Sequence, residues 1–205
     1  MDTAAVRAFL TGPADDLAPL LLGAVLTSDL GSTVSLRITE VEAYAGIGKD
    51  PGSHAHRRRT ERNAAMFGPP GHAYVYFTYG MHWCLNVVAH PQGEAGGVLI
   101  RAGEVLTGLE TARRRRPAAR SDRDLARGPA RLAAALGVTG AQDGTDLLEP
   151  ASSLRLTLPA SPVGTAGIAS GPRTGVAGPG APTPWRFWLD GDPTVSPHRP
   201  TRRPG

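Results

Sequence analysis

The stretch AYVYFTYGMHWCLNVV, residues 73–88, decides the fold. Two runs rich in β-branched and aromatic residues meet at Tyr79-Gly80-Met81, and such runs joined by a short glycine-containing turn read as an antiparallel β-hairpin. Side chains alternate along a strand, so Tyr74 and Tyr76 fall on one face and Val75 and Phe77 on the other. Of the eleven aromatic residues (4 Phe, 4 Tyr, 3 Trp), six lie between Phe67 and Trp83. A hairpin built for packing alone would use mainly Phe and Leu. Tyr instead offers a flat stacking surface with a polar end, which suits a face that stays partly wet. Tyr79 stands at or next to the tip, its ring either exposed or folded back onto the hairpin. Asn86, between Leu85 and Val87, is a poor strand former, and as a buried amide it needs partners from backbone or from a ligand edge.

Upstream, Val34, Leu36 and Ile38 alternate with Ser35, Arg37 and Thr39, which predicts a strand from Thr33. If its period of two persists, Glu40, Glu42 and Tyr44 project on the side of Val34, Leu36 and Ile38, and two acids enter the apolar face. Ionised carboxylates there are costly unless paired or hydrogen-bonded, so the placement suggests a site. A β-bulge near Thr39 or Val41 would instead rotate the acids outward. Asp15 or Asp16 caps a short helix through LAPLLLG that Gly23 ends. The segment 45–70 reads as a long functional loop.

Downstream, Val98 to Arg101 is a further strand and Thr107 to Arg115 a basic helix. Ser121 and Asp124 fit a capping pattern, and Gly128-Pro129 opens a stronger helix, PARLAAAL, that Gly137 closes. LRLTL (154–158) and WRFWL (185–189) are late strands. Strand and helix do not alternate as in a parallel sheet. The expectation is an α+β protein with one mixed domain over residues 1–196, a mostly antiparallel curved sheet, flanking helices and a protruding hairpin. A basic tail, 197–205, is expected to be disordered.

With 205 residues and 40% hydrophobic content, the chain suffices for one real core. No run of about eighteen apolar residues occurs, and the start MDTAAVRAFLTGPADD lacks the build of a signal peptide. The reading is a cytoplasmic protein without membrane association, nucleoid-associated if bacterial. Cys84 is the only cysteine, which excludes an intramolecular disulfide and a cysteine-based zinc cluster. The formal charge of +4 rests on arginine, Lys49 being the only lysine. Biased coding composition would explain many arginines, but they cluster at 57–62, 113–116 and 199–203, which suits phosphate backbones or acidic lipids. His54 and His56 form an H-x-H pair with no third metal ligand at a diagnostic spacing, so no metal and no cofactor is expected. Two rival classes remain open at this level: a nucleic-acid binder without catalysis, and a small metallohydrolase using His54, His56 and a nearby acid.

Taken together, ITEVEAY (38–44), SHAHRRRTERNAAMFGPPGHAYVYFTYGMHWCLNVV (53–88), GVLIRAGE (97–104), RGPARLAAALGV (127–138) and PWRFWL (184–189) resemble the alkyladenine, or 3-methyladenine, DNA glycosylase family. The resemblance spans roughly residues 16–196 in family order. It implies a single mixed domain that removes alkylated or deaminated purines from double-stranded DNA, the first step of base excision repair, as a monomer without an obligate protein partner. Carried over residue by residue, Glu42 is similar to the general base that activates a water, and Arg101, with main chain near Val176, to the groups that hold that water. Tyr44, His54 and Tyr76 resemble the residues that sandwich and hydrogen-bond an extruded base, Tyr79 the ring that fills the vacated space, and Asn86 the residue that obstructs the amine of normal guanine. Met81, Thr60 and Arg131 lie where the family approaches DNA. Departures from the family pattern are Glu61 in place of Pro, Arg131 in place of Lys, and the 57–59 arginine triplet; an acid at 61 would weaken a local phosphate contact.

Overall fold

The computed structural model describes residues 3–198. The expected tail falls mostly on 199–205, outside the described residues. An open, curved sheet of eight antiparallel strands forms the frame: β1 (Val25–Ser28), β2 (Val34–Ala45), β3 (Ala73–Thr78), β4 (His82–Val88), β5 (Gly96–Thr107), β6 (Leu154–Thr157), β7 (Ile168–Gly171) and β8 (Arg186–Leu189). The strand order is β3-β4-β5-β2-β1-β6. Long β2 keeps β5 along one edge and divides the other, pairing β1 through residues 34–37 and β8 through residues 40–42, with β7 outside β8.

The hairpin is as expected. Tyr74 pairs Asn86, Tyr76 pairs Cys84, and between them Val75 pairs Leu85. Ala73, Val75, Leu85 and Val87 enter the main core, while Tyr74 and Tyr76 turn to the opposite face. Tyr79 and Gly80 both take the left-handed conformation, φ 51° and 66°. Glycine does so freely, whereas a residue with a Cβ pays on the order of 1 kcal/mol, so the Tyr79 ring is held out by a turn that costs energy.

Helices cover the core face. α1 (Thr3–Phe9) buries Val6, and α2 (Ala14–Leu17) runs into a 3₁₀ turn, Ala18–Leu21, where Pro19 interrupts the α pattern. The expected cap is absent here: Pro13 is the N-cap residue, and Asp15 and Asp16 sit inside the first turn. α3 (Leu109–Arg115) starts later than its sequence signal, because β5 continues through Thr107, whose hydroxyl meets that of Ser35 at 2.6 Å. α4 (Pro129–Leu136) begins after Gly128 and ends at Gly137 as read, burying Leu132, Ala133, Ala135 and Leu136. Each of its two buried leucines contributes about 1.5–3 kcal/mol relative to exposure. Ser121 does not cap a backbone amide; its hydroxyl donates to Asp124 instead. The segment 45–70 is not all loop: residues Glu61–Phe67 form a 3₁₀ helix with a Thr60–Asn63 capping box. Short β1 and β7 and the outer turns of β5 carried no clear sequence signal.

Candidate active site

The acids of β2 do leave the face of Val34, Leu36 and Ile38. The ladder with β5 slips three times, first between Ser35 and Leu36 and then on either side of Glu40, where Thr39 and then Arg101 are left without a cross-strand partner. Beyond the slip the core face continues as Val41 and Ala43. Glu40, Glu42 and Tyr44 therefore turn to the opposite face, as the bulge alternative requires. They do not reach solvent: Glu40 and Glu42 are both 0% exposed, closed over by Arg186 of β8, by Thr174 in the loop before it and by Ser196 beyond it.

Each carboxylate is paired where it lands. Glu40 accepts from Arg101 Nε (2.8 Å), Arg186 Nε (2.6 Å) and the Ser196 amide (2.7 Å). Burial opposes ionisation of Glu40, but the two guanidiniums outweigh it and its pKa falls below the ordinary value. Glu42 Oε1 accepts from the Thr174 amide at 2.6 Å. Its Oε2 accepts from the Tyr44 hydroxyl at 2.8 Å and pairs with Arg101 Nη1 at 3.1 Å. Arg101 thus bridges two acids. Burial works against its charge, and Glu42 and Glu40 more than restore it, leaving its pKa raised.

Above this layer lies a cavity of about 460 Å³ lined by Tyr44, His54, Tyr76, Asn86, Leu99, Arg101, Thr174 and Val176, among others. Glu42 does not itself line it; three of the residues that do, Tyr44, Arg101 and Thr174, hold its carboxylate from above. Tyr74 and Tyr76 stack at 5.4 Å, and His54 meets Tyr76 edge-on at 4.7 Å. The Tyr74 hydroxyl lies 2.9 Å from His54 Nδ1, which fixes that ring and leaves Nε2 for a ligand. Burial of part of the imidazole, then the nearby Arg62 charge, lowers the His54 pKa. Burial, then Glu42, raises that of Tyr44. Asn86 spends Nδ2 on the Tyr74 carbonyl at 3.0 Å, so backbone supplies the partner its burial demands. Among the described residues no three His, Cys, Asp or Glu side chains gather into a metal-binding group, and His54 and His56 have no third ligand.

A second ion pair, unread in the sequence, backs the wall. Arg173 is bidentate to Asp50 at 2.6 and 2.7 Å, donates to the Ala43 carbonyl at 2.8 Å, and places its guanidinium 4.7 Å from the centre of the Tyr44 ring. The loops pass so closely that a Cβ on Gly52 would lie 2.7 Å from Val176 and 2.8 Å from Arg173 Nη2. No local pattern announces a contact between residues 50 and 173. Asp50 follows a Gly-rich turn and looks like ordinary turn chemistry.

Around the mouth, Tyr79 is 85% and Met81 67% exposed. Pro129 and Ala130, opening α4, line the cavity beside exposed Arg131. Arg57, Arg58 and Thr60 line an adjoining cleft with His54. Thr60 serves the capping box, its amide donating to Asn63 Oδ1 at 2.6 Å.

Rings on the walls suit a flat heterocycle and arginines at the rim suit a polyanion, which puts the chain in the class of proteins that process nucleic-acid bases. Residues 8–193 match the family model described as methylpurine-DNA glycosylase. Relatives named "Putative 3-methyladenine DNA glycosylase" include one from Streptomyces avermitilis, 55% identical over 98% of this chain and 96% of its own length. Those from Leifsonia xyli subsp. xyli and Nocardia farcinica are 56% and 53% identical, each over 90% of this chain and 87% of its own length. The chain belongs to the methylpurine-DNA glycosylase family and is a DNA glycosylase, a hydrolase acting on DNA in repair. No helix among the described residues is long and apolar enough to cross a membrane.

Proposed function

We propose that the protein extrudes alkylated or deaminated purines from duplex DNA and hydrolyses the N-glycosidic bond with a water activated by Glu42. One observation carries the reading: a fully buried carboxylate hydrogen-bonded to Tyr44 and Thr174, both of which line a ring-walled cavity of about 460 Å³, ample for a purine. Extrusion costs roughly a few kcal/mol, and stacking on Tyr44 and Tyr76 returns on the order of 1–3 kcal/mol per base. Tyr79 fills the gap left in the duplex, and Met81, Thr60 and Arg131 meet its backbone. His54 hydrogen-bonds the base edge, and Asn86 obstructs the amine of normal guanine.

In the chemical step the water oxygen bonds to the anomeric carbon as the carbon–nitrogen bond breaks. That bond's electron pair leaves with the base, and the water's proton passes to Glu42. A purine alkylated at N3 or N7 is cationic and departs neutral. Arg101 holds the carboxylate in place, and the negative charge of Glu42 steadies the developing positive sugar. No lysine lines the cavity, so the product is an intact abasic strand.

Glu42→Gln is expected to lower single-turnover excision from methylated duplex by about 10²-fold or more, with duplex binding retained. A near-normal rate would remove Glu42 from the mechanism.

A further inference from the structure

The hairpin that carries Tyr79 leaves the sheet before its tip. β4 pairs β5 only through Asn86, Val87 and Val88. From Leu85 outward its one strand partner among the described residues is β3, itself an edge strand. Along the outer edge of β3, residues 143–145 bond the backbone of Ala73 and Val75, and Arg62 Nη2 donates to the Phe77 carbonyl at 3.2 Å. The last rungs, Phe77–Trp83 and Thr78–His82, are therefore aimed by side chains rather than by a neighbouring ladder.

Trp83 supplies that support. It is half-buried on the core side of the hairpin, its ring 4.6 Å from that of Phe77. The indole lies on Gly140, where a Cβ would fall 2.7 Å from Cη2 and 2.9 Å from Cζ3. Gly140 opens the 3₁₀ turn Gly140–Gln142, which a Thr139–Gln142 capping box fixes behind α4. Its backbone is not left-handed, unlike that of Gly137, so conformation does not ask for glycine there. The close approach of Trp83 does.

Strands rise about 3.3 Å per residue, so Trp83 lies about 10 Å past the last rung held in the sheet and Tyr79 about 17 Å. The seat thus sits partway along a lever. To admit a methyl group at Gly140 the indole must retreat by about 0.8 Å, to the distance of ordinary carbon contact, and a rigid lever turns that into more than about 1 Å at Tyr79. Tyr76 and Cys84, on the face away from Trp83, line the cavity, so the retreat tilts the tip over its mouth.

Resting on the assignment of Tyr79 as the ring that fills the vacated space, we infer that Trp83 is a positioning residue for the reaction: seated on Gly140, it sets the angle at which the hairpin presents Tyr79 to the duplex.

The test compares Gly140→Ala, which lifts the indole, Trp83→Phe, which shortens it, the two combined, and each single change in a Tyr79→Ala background. Single-turnover excision from methylated duplex is measured for all of them. Gly140→Ala is expected to slow excision about tenfold and Trp83→Phe about threefold, since a misplacement of about 1 Å can cost up to about 10²-fold. The combination should be faster than Gly140→Ala alone, because the shorter ring leaves room for the added methyl group. With the ring at 79 gone its angle no longer matters, so in Tyr79→Ala each seat change should alter the rate by less than about twofold. Both single variants at the parent rate, a combination as slow as Gly140→Ala or slower, or losses undiminished in Tyr79→Ala would each overturn the inference, the last because the seat would then act on folding or on the pocket walls. A Tyr79→Ala protein that excises at the parent rate removes the assignment of that ring, and this inference with it. An impaired Tyr79→Ala to which the seat changes add in full removes this inference alone. Should Gly140→Ala not fold, Trp83→Phe with and without Tyr79→Ala decides the matter in the same way.

Discussion

Asp50 stands at the junction of stability and catalysis, and replacing it tests both. Its carboxylate accepts four hydrogen bonds: two from Arg173, at 2.6 and 2.7 Å, and one each from the amides of Ala45 (3.2 Å) and Gly52 (2.9 Å). Both partners of the pair are buried, Asp50 at 1% and Arg173 at 2% exposure. Removing one member of a buried pair typically costs about 3–5 kcal/mol, because the other charge is stranded. Asn keeps one acceptor, so Asp50→Asn belongs at the low end, about 3 kcal/mol. With a urea slope near 3 kcal/mol/M, the upper end of the usual range, the midpoint should fall by about 1 M. Replacing both members with apolar residues, Asp50→Leu with Arg173→Met, strands no charge and should cost less than the sum of the single changes by about 2 kcal/mol or more. Excision assayed well below the melting temperature should also fall in Asp50→Asn, more for a cationic methylpurine than for neutral hypoxanthine, since Tyr44 would then be backed by an uncompensated cation. A midpoint shift under about 0.3 M would refute the claim that this pair holds the wall.

Two further outcomes are expected. Tyr79→Ala should weaken binding to lesion-bearing duplex more than to unmodified duplex, because in the proposed function the exposed ring replaces stacking only where a base has left; equal losses in a titration of both duplexes would reduce Tyr79 to a backbone contact. His54 should remain neutral below the ordinary histidine range, since burial and Arg62 both lower its pKa, and Arg62→Ala should raise its midpoint; an imidazole NMR titration with a midpoint at or above about 6.5 in the parent protein would contradict this.

What was legible in the sequence was what local rules decide. The hairpin needs only its own two runs and a Tyr-Gly turn, and α4 only its flanking glycines. The face of the acids was not, because the slip at Thr39 depends on a strand some sixty residues away, where Arg101 makes the compensating slip. Thr39 is also held by Thr194 across the fold, at 2.8 Å between hydroxyls. Period-two reading carries the wrong parity past such a point. The EAY and VLIRA stretches were recognisable as motifs, yet the residues that position them, Asp50, Arg173, Arg186 and Ser196, come from loops and a late strand with no periodicity to read. Thr174 offers a single amide from a glycine-rich loop, visible only once Glu42 is beside it.

The charges beneath the cavity bear on a difficulty in the proposed function, which brings cationic bases to an arginine-rich protein. Three carboxylates, Glu40, Glu42 and Asp50, and three guanidiniums, Arg101, Arg173 and Arg186, are all buried there, at 5% exposure or less, so the layer carries no net formal charge. Its arrangement is nevertheless polar. Glu42 is held by three residues that line the cavity, while Arg186 lies behind Glu40 and Arg173 behind the Tyr44 ring. In the proposed reaction a developing positive sugar would thus feel Glu42 through Tyr44, Arg101 and Thr174, which line the cavity and already bond its carboxylate, with Arg186 and Arg173 further back. The tyrosine face presented to a cationic base keeps its attraction because Asp50 neutralises the guanidinium behind it. Neutralising either Glu42 or Asp50 tips the whole layer positive, so the loss in excision carries an electrostatic part beyond whatever proton transfer or wall geometry each substitution removes.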